Sequence, residues 1–358
     1  MNHHTVAIQQ VQHILQGVLH QGLPLQPLLQ RAGIPPALLH APLARVSQQQ
    51  YALLIRVLRR TTRDELWGLC RSPLPVGSFA QCAALGLHCQ TLDQALRAGF
   101  RHLHGLQGLS DVFVPRLLLQ GGVARVQLVR RVAHPPASQT PTDPQAAARL
   151  DYAQKAFLLF TFGLACWWVA RRVPLLGVDY TEPTPRSDSS RVYQAPVQFG
   201  QPHIGLQFDA RWLALPVVQS PQSLGEFLAG APANLLIKYR DASRVSERIR
   251  RLLQRRLDSE LPSLHAVGQA LGITPQTLRR RLREEGHGFQ TLKDGLRRDT
   301  AISLLAQPGL TLLEVANRVG FSEASTFARA FKHWTGVAPG AYRLAHIATS
   351  PADPPAPG

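Results

Sequence analysis

The sequence predicts an α+β N-terminal domain followed by an all-α C-terminal domain with two helix-turn-helix units joined by a linker helix. Three observations predict this. Near residue 240 the apolar pattern changes from mixed helix and strand periods to helix alone. Beyond that point one two-helix pattern occurs twice, its glycines 48 residues apart at Gly272 and Gly320. The chain has 358 residues and is 45% hydrophobic, enough for two domains with their own cores.

The second copy of the repeat, Thr311 to Gly336, reads TLLEVANRVGFSEASTFARAFKHWTG. Leu312, Val315, Ala316 and Val319 follow the i, i+3, i+4, i+7 spacing of a helix with one buried face. Thr311 and Glu314 are spaced as a capping box. Gly320 can take the left-handed conformation that ends a helix. Ser322 is then expected to cap a second helix. In that helix Phe327, Ala330, Phe331 and Trp334 share one side. At roughly 100° per residue, Ser325, Arg329 and Lys332 point the opposite way.

The first copy, Ser263 to Gly286, reads SLHAVGQALGITPQTLRRRLREEG. Leu264, Val267 and Leu271 form its first stripe, and Gly272 its turn. Thr274 is the expected cap of the next helix, with Pro275 at the first helical position. Leu278 and Leu282 make its buried side. Gln276 corresponds to Ser325, and Arg280 to Arg329 at a 49-residue offset, so the second copy has one more residue in its turn. Gly288 to Gln307 is a further amphipathic helix between the copies. A single copy also reads as an ordinary helical hairpin with a solvated face. The repeat, with a polar and cationic outer face in both copies, favours paired helix-turn-helix units.

These segments resemble the AraC/XylS transcription regulators of bacteria. The likeness rests on the LGIT and LRRRL pieces of the first copy, the LRRDTAISLL linker helix, and VANRVGFSEASTFARAFKHWTGVAPGAYR. It covers roughly the last 100 residues. It implies double-stranded operator DNA as partner, with two recognition helices in successive major-groove segments. The family's base-reading positions map to Gln276, Thr277, Arg280, Ser325, Thr326 and Arg329; Lys332, on the same outer face, completes the expected DNA-binding set. QRAGI near Arg31, DELWGL from Asp64, TLDQALR, and VQFGQPHIGLQFDARWLALPV are similar to the effector-binding region of one subgroup. That likeness implies small-molecule sensing and homodimer formation; the family resemblance as a whole implies an activator that contacts RNA polymerase. It carries over no effector-binding residue.

Charge agrees with a polyanionic partner. The formal net charge is +17 and the pI near 11.0. Residues 243–347 hold 17 of the 39 Lys and Arg and 9 of the 22 Asp and Glu, about twice the charge density of the rest. The start, MNHHTVAIQQ, has neither a basic n-region nor a long apolar core, and the expected location is the cytoplasm. Ala156 to Ala170 is apolar yet short for a bilayer, which indicates a buried helix rather than a membrane span. Cys70, Cys82, Cys89 and Cys166 form no CxxC pair and read as buried reduced thiols.

In chain order, residues 6 to 70 read as helical, with breaks at Pro24, Pro27 and Pro35. Gln48 to Thr61 and Thr91 to Phe100 are amphipathic, the latter capped by Thr91. Asp111 to Val114, Arg116 to Gln120 and Val123 to Val132 read as strands around a Gly121-Gly122 turn. His134 to Pro144 is a loop, and a helix carrying Trp167 and Trp168 follows, ending at Arg171 and Arg172. Val173 to Trp212 is strand-like again, and Gln222 to Tyr239 is helical. The expected domains are 1–239, a joint at 240–245, 246–347, and a tail at 348–358.

His102 and His104 suit either of two readings: pointing the same way from a strand, or binding a metal with His88 and Cys89. No carboxylate or Cys cluster completes the set, so neither metal nor cofactor is expected. Asp64 and Glu65 form an acidic pair with no site around it in the sequence. No GxSxG, P-loop or GxGxxG occurs, and no catalytic residue is expected. Two alternatives remain: an enzyme located on DNA, which needs a reactive low-pKa Cys, and a non-specific DNA-binding protein.

Overall fold

The computed structural model describes residues 5–106, 112–130, 144–183, 193–230, 245–257, 261–285, 288–307 and 309–347. The expected loop at 134–143, the joint at 240–244 and the tail lie outside them. Two compact units divide the chain.

The larger unit comprises residues 13–24 and 55–240. Its sheet has five strands: β3 (Phe113–Gln120), β4 (Val123–Arg130), β5 (Leu175–Asp179), β6 (Val197–Gln198) and β7 (Ile204–Asp209). Their order is β3-β4-β7-β5-β6, and only the β5–β6 pair is parallel. β3 and β4 form the expected hairpin, Gln120 facing Val123 across Gly121 and Gly122, both at positive φ. Along β4, Ala124, Val126 and Leu128 are buried and their neighbours are not, the alternation of a sheet with one covered face.

That face meets α5 (Leu92–Gly105) and α6 (Pro144–Trp168), with α4 (Ser78–Gly86) against both helices. Thr91 caps α5 as expected, its hydroxyl accepting from Gln94 N–H. Through Ala156–Trp168 α6 is buried almost all round, which explains its unbroken apolar sequence. Among the described residues, no helix is long and apolar enough to cross a membrane. Helix α7 (Pro221–Gly230) rests on α4 with no residue fully buried.

The second unit comprises residues 1–12, 25–54 and 241–358. It therefore joins both ends of the chain, whereas the apolar pattern places a single boundary near residue 240. Its N-terminal part holds β1 (Thr5–Ala7), the start of α1 (Ile8–His20), α2 (Leu25–Arg31), a 3-10 turn at Pro36–His40, β2 (Arg45–Ser47) and the start of α3 (Gln48–Thr62). β1 pairs antiparallel with β2, Val6 facing Val46. The reading of residues 6 to 70 as helical with breaks only at prolines is thus corrected by strand β2. These strands are three residues long and pair across 40 residues, so no local period marks them. Residues 63–77 are also non-helical.

The C-terminal part is helical: α8 (Val245–Gln254), α9 (Leu264–Leu271), α10 (Pro275–Glu284), α11 (Phe289–Leu305), α12 (Leu312–Arg318), α13 (Ala324–Thr335) and α14 (Pro339–Ile347). The linker helix α11 touches α8, α12, α13, α14 and strand β2. Val267, Leu278, Leu282, Leu292 and Leu296 pack with α8 into one core. Around the second repeat, Ile302, Val315, Val319, Phe327, Phe331 and Tyr342 have no exposed surface.

Candidate nucleic-acid interface

Local chemistry forms the first helix pair. Ser263 caps α9 by accepting from Ala266 N–H. Gly272 takes φ 67, and its N–H returns to the Gly268 and Gln269 carbonyls, ending the helix. Two residues later Thr274 caps α10, accepting from Thr277 N–H, with Pro275 at the first turn. A Cβ on Gly268 would lie 2.6 Å from the Ile273 carbonyl, so their contact requires glycine there.

The second pair repeats this. Thr311 and Glu314 form the full capping box: Glu314 N–H donates to Thr311 Oγ1 at 3.1 Å, and Thr311 N–H to Glu314 Oε2 at 2.6 Å. Gly320 takes φ 77. Arg297 of α11 holds the turn, donating to the Gly320 carbonyl at 3.2 Å with its guanidinium over the Phe321 ring. Ser322 does not cap α13. The extra turn residue shifts the start, so Glu323 occupies the N-cap position without a side-chain cap bond. Its carboxylate instead accepts from Ser325 Oγ at 3.2 Å and Thr326 Oγ1 at 3.3 Å.

The structure brings the sequence-selected residues onto two outer helix faces. On α10, Leu278 and Leu282 are buried, Gln276 and Arg280 are exposed, and Thr277 is half-buried with its hydroxyl against Thr274. On α13, Phe327 and Phe331 are buried, while Ser325, Thr326, Arg329 and Lys332 are exposed. Trp334 is half-buried, its ring 6.0 Å from Phe321. Arg280 is engaged: its guanidinium meets Glu284 at 2.6 Å, and both groups are exposed. Among the described residues, Arg329 and Lys332 make no ion pair.

One residue of this pattern escapes the sequence selection. Arg283 is exposed on α10, 49 residues before Lys332 and therefore at its repeat position. It shares a face with Gln276 and Arg280, as Lys332 does with Ser325 and Arg329. The offset that relates Arg280 to Arg329 is the signal that finds it. Each helix thus presents one short polar side chain followed by two cations, a surface suited to phosphates and guanine edges.

The two histidines lie on a helix and not on a strand. His102 and His104 lie on helix α5, two positions apart and so on different sides. His102 Nε2 meets Gln81 Oε1 at 3.1 Å, and His104 Nε2 meets the Pro115 carbonyl at 3.0 Å. No group of three or more His, Cys, Asp or Glu is placed to hold a metal among the described residues.

Comparison with known proteins supports the two-part organisation. Residues 22–217 match the family described as the arabinose-binding domain of AraC transcription regulator, and residues 267–345 match a helix-turn-helix domain family. A helix-turn-helix-type transcriptional regulator of Mycobacterium tuberculosis is 37% identical over 148 residues, 41% of this chain. The matched stretch spans 42% of that relative's length. The ornithine utilization regulator of Pseudomonas aeruginosa is 24% identical over 343 residues, 95% of this chain and 96% of that protein. The solved structure of the transcriptional regulator CdpR from Pseudomonas aeruginosa aligns over 81% of this chain and 96% of its own at 22% identity, with a TM-score of 0.29.

Proposed function

The chain belongs to the AraC family of transcription regulators, and on that premise we propose that it is a sequence-specific, effector-responsive activator. The observation that carries this reading is the matched pair of outer faces, Gln276, Arg280 and Arg283 on α10 and Ser325, Arg329 and Lys332 on α13. Each helix lies across operator DNA in the major groove, about one helical turn, roughly 34 Å, from the other. Thr277 and Thr326 add hydroxyls beside these faces.

In this reading residues 1–239 sense a small molecule and mediate homodimer formation in the cytoplasm, and residues 246–347 bind operator DNA and present a surface to RNA polymerase. An effector changes DNA occupancy only by binding one arrangement of the protein better than another. A dimer holds paired sites more tightly than single ones, since tethering raises the effective concentration of the second module.

Selection of bound sequences from a random DNA pool, with and without cell extract, tests the proposal. A defined motif carrying two half-sites, with occupancy that extract alters, is the expected result. Uniform retention of all sequences would leave only non-specific binding.

A further inference from the structure

The larger unit contains a partly open cavity of about 50 Å³. Its wall is apolar, formed by Leu66, Leu96, Phe100, Phe157, Phe160 and Trp168 among others. One acidic residue interrupts that wall, Glu65, which is only 7% exposed. The polar groups beside it are already engaged. Thr161 Oγ1 donates to the Phe157 carbonyl, and Trp168 Nε1 to the Ala83 carbonyl.

A specialised loop places Glu65 there. The neighbouring Asp64 carboxylate accepts from Leu66, Gly68 and Leu74 N–H at 2.8–2.9 Å, closing the loop around itself. Within it Arg63 and Trp67 take positive φ, uncommon for residues with a Cβ. The acidic pair that looks isolated in the sequence is therefore divided in role: Asp64 organises the loop and Glu65 faces the cavity. Glu65 Oε1 accepts from Gly77 N–H at 2.8 Å. Among the described residues, its second oxygen meets only the Arg59 guanidinium, an ion pair at 3.8 Å and beyond hydrogen-bonding distance. Burial pushes the carboxyl up from its ordinary range, with Gly77 N–H and Arg59 pulling the other way.

We propose that this cavity binds a small aliphatic molecule ending in one hydrogen-bond-donating group, its chain against the apolar wall and its head on the second oxygen of Glu65. An ammonium or hydroxyl head supplies a hydrogen-bond donor to this oxygen, whereas a carboxylate head would place two anions together. The inference rests on the effector-sensing reading and gives it a ligand class. It also gives a route out of the cavity. Phe79 lines the cavity and lies 6.0 Å from Phe227 of α7, and Trp167 stacks on the same Phe227 at 4.3 Å. Helix α7 is held by such partly buried contacts and precedes the DNA-binding helices in sequence.

The test titrates the purified full chain with hexylamine, hexanol and hexanoate by calorimetry and tryptophan fluorescence. Hexylamine and hexanol are expected to bind, with hexanoate weaker by about tenfold or more, as expected for loss of one charge-assisted hydrogen bond. Glu65→Gln keeps an acceptor for Gly77 N–H and should abolish the preference for amine over carboxylate. Gly99→Ala leaves Glu65 intact, and its Cβ would meet Trp168 at 3.8 Å, an ordinary contact. That variant should fold normally and weaken all chain probes by occupying the cavity. Absence of binding by the wild-type chain, equal binding of the three heads, or an unchanged preference in Glu65→Gln overturns the proposal. If Glu65→Gln fails to fold, unchanged binding by Gly99→Ala overturns it instead. Gel shifts on the selected DNA, with and without hexylamine, address the other reading separately. Specific binding in the cavity with unmoved DNA affinity keeps the site and removes its role as an effector site.

Discussion

The Tyr342 hydroxyl, in the last helix, donates to the Arg45 carbonyl in β2 at 2.7 Å, across 297 residues of sequence. The Tyr342 ring is fully buried, edge-on to Phe331. A second bond ties the same parts: Thr5 Oγ1 of β1 donates to Asp299 Oδ1 of α11 at 2.6 Å and accepts from Arg45 Nε at 2.7 Å. The DNA-binding helices thus share a folded unit with the start of the chain.

Tyr342→Phe keeps the ring and leaves the Arg45 carbonyl without that donor. Its expected cost is about 1 kcal/mol, read as a lower denaturant midpoint of the full chain at unchanged slope. A fragment of residues 243–347 lacks β1 and β2. It should retain its helices by circular dichroism yet melt below the corresponding transition of the full chain. A fragment as stable as the full chain would mean that the N-terminal ribbon contributes nothing in solution.

Arg280→Ala and Arg329→Ala should leave folding intact, since both side chains are exposed, and weaken operator binding by about tenfold or more, the effect of one lost bidentate contact. Arg283→Ala and Lys332→Ala should reduce the salt slope, each by about one, if they meet phosphates. Glu284 holds Arg280 in the free protein, so Glu284→Gln should tighten DNA binding by freeing that guanidinium and removing an anion. Wild-type affinity and salt slope in all four cation variants would take these helices out of the interface.

The repeat is legible in the sequence because its signals are local. Gly272, Gly320, Thr274 and the Thr311–Glu314 box act within one turn of where they stand. Ser322 is misread for a related reason: the second turn's extra residue moves the helix start without altering the apolar stripe. The two short strands are invisible because their partner lies 40 residues away. Glu65 is harder still. Nothing near it in sequence marks a site, and its surroundings come from α4, α5 and α6. The histidines show the converse failure. Their alternation suggests a strand, while the Thr91 cap and the apolar stripe of α5 decide for helix.

Phe331 tests whether the aromatics of α13 are core or a stacking surface. It has no exposed surface and lies between Phe327 and Tyr342, with centroids at 5.6 and 5.5 Å. Truncation to Ala should cost about 3–5 kcal/mol, seen as a lower melting temperature of the full chain. A variant of wild-type stability with impaired DNA binding would instead make Phe331 a contact residue.

The cysteines bear on whether the chain can perform thiol chemistry. Burial pushes the thiols of Cys70 and Cys82 up to about 12, with the Asp64 charge adding to Cys70, and that of Cys166 up to about 11. Cys89 is raised less, with Arg101 pulling the other way. An acid whose folded value is raised is favoured in its neutral form. These thiols therefore remain protonated as pH climbs through the ordinary thiol range near about 8.5, where an unfolded chain ionises. Stability should accordingly decline as pH rises above that range. At pH about 7 a nucleophilic cysteine needs a depressed pKa and access to solvent. Treatment with a disulfide reagent at that pH, followed by mass spectrometry, should modify Cys89 first and leave Cys82 and Cys166 unmodified until the chain is denatured. Rapid native labelling of Cys70, Cys82 or Cys166 would show an activated thiol and reopen a catalytic role for the larger unit.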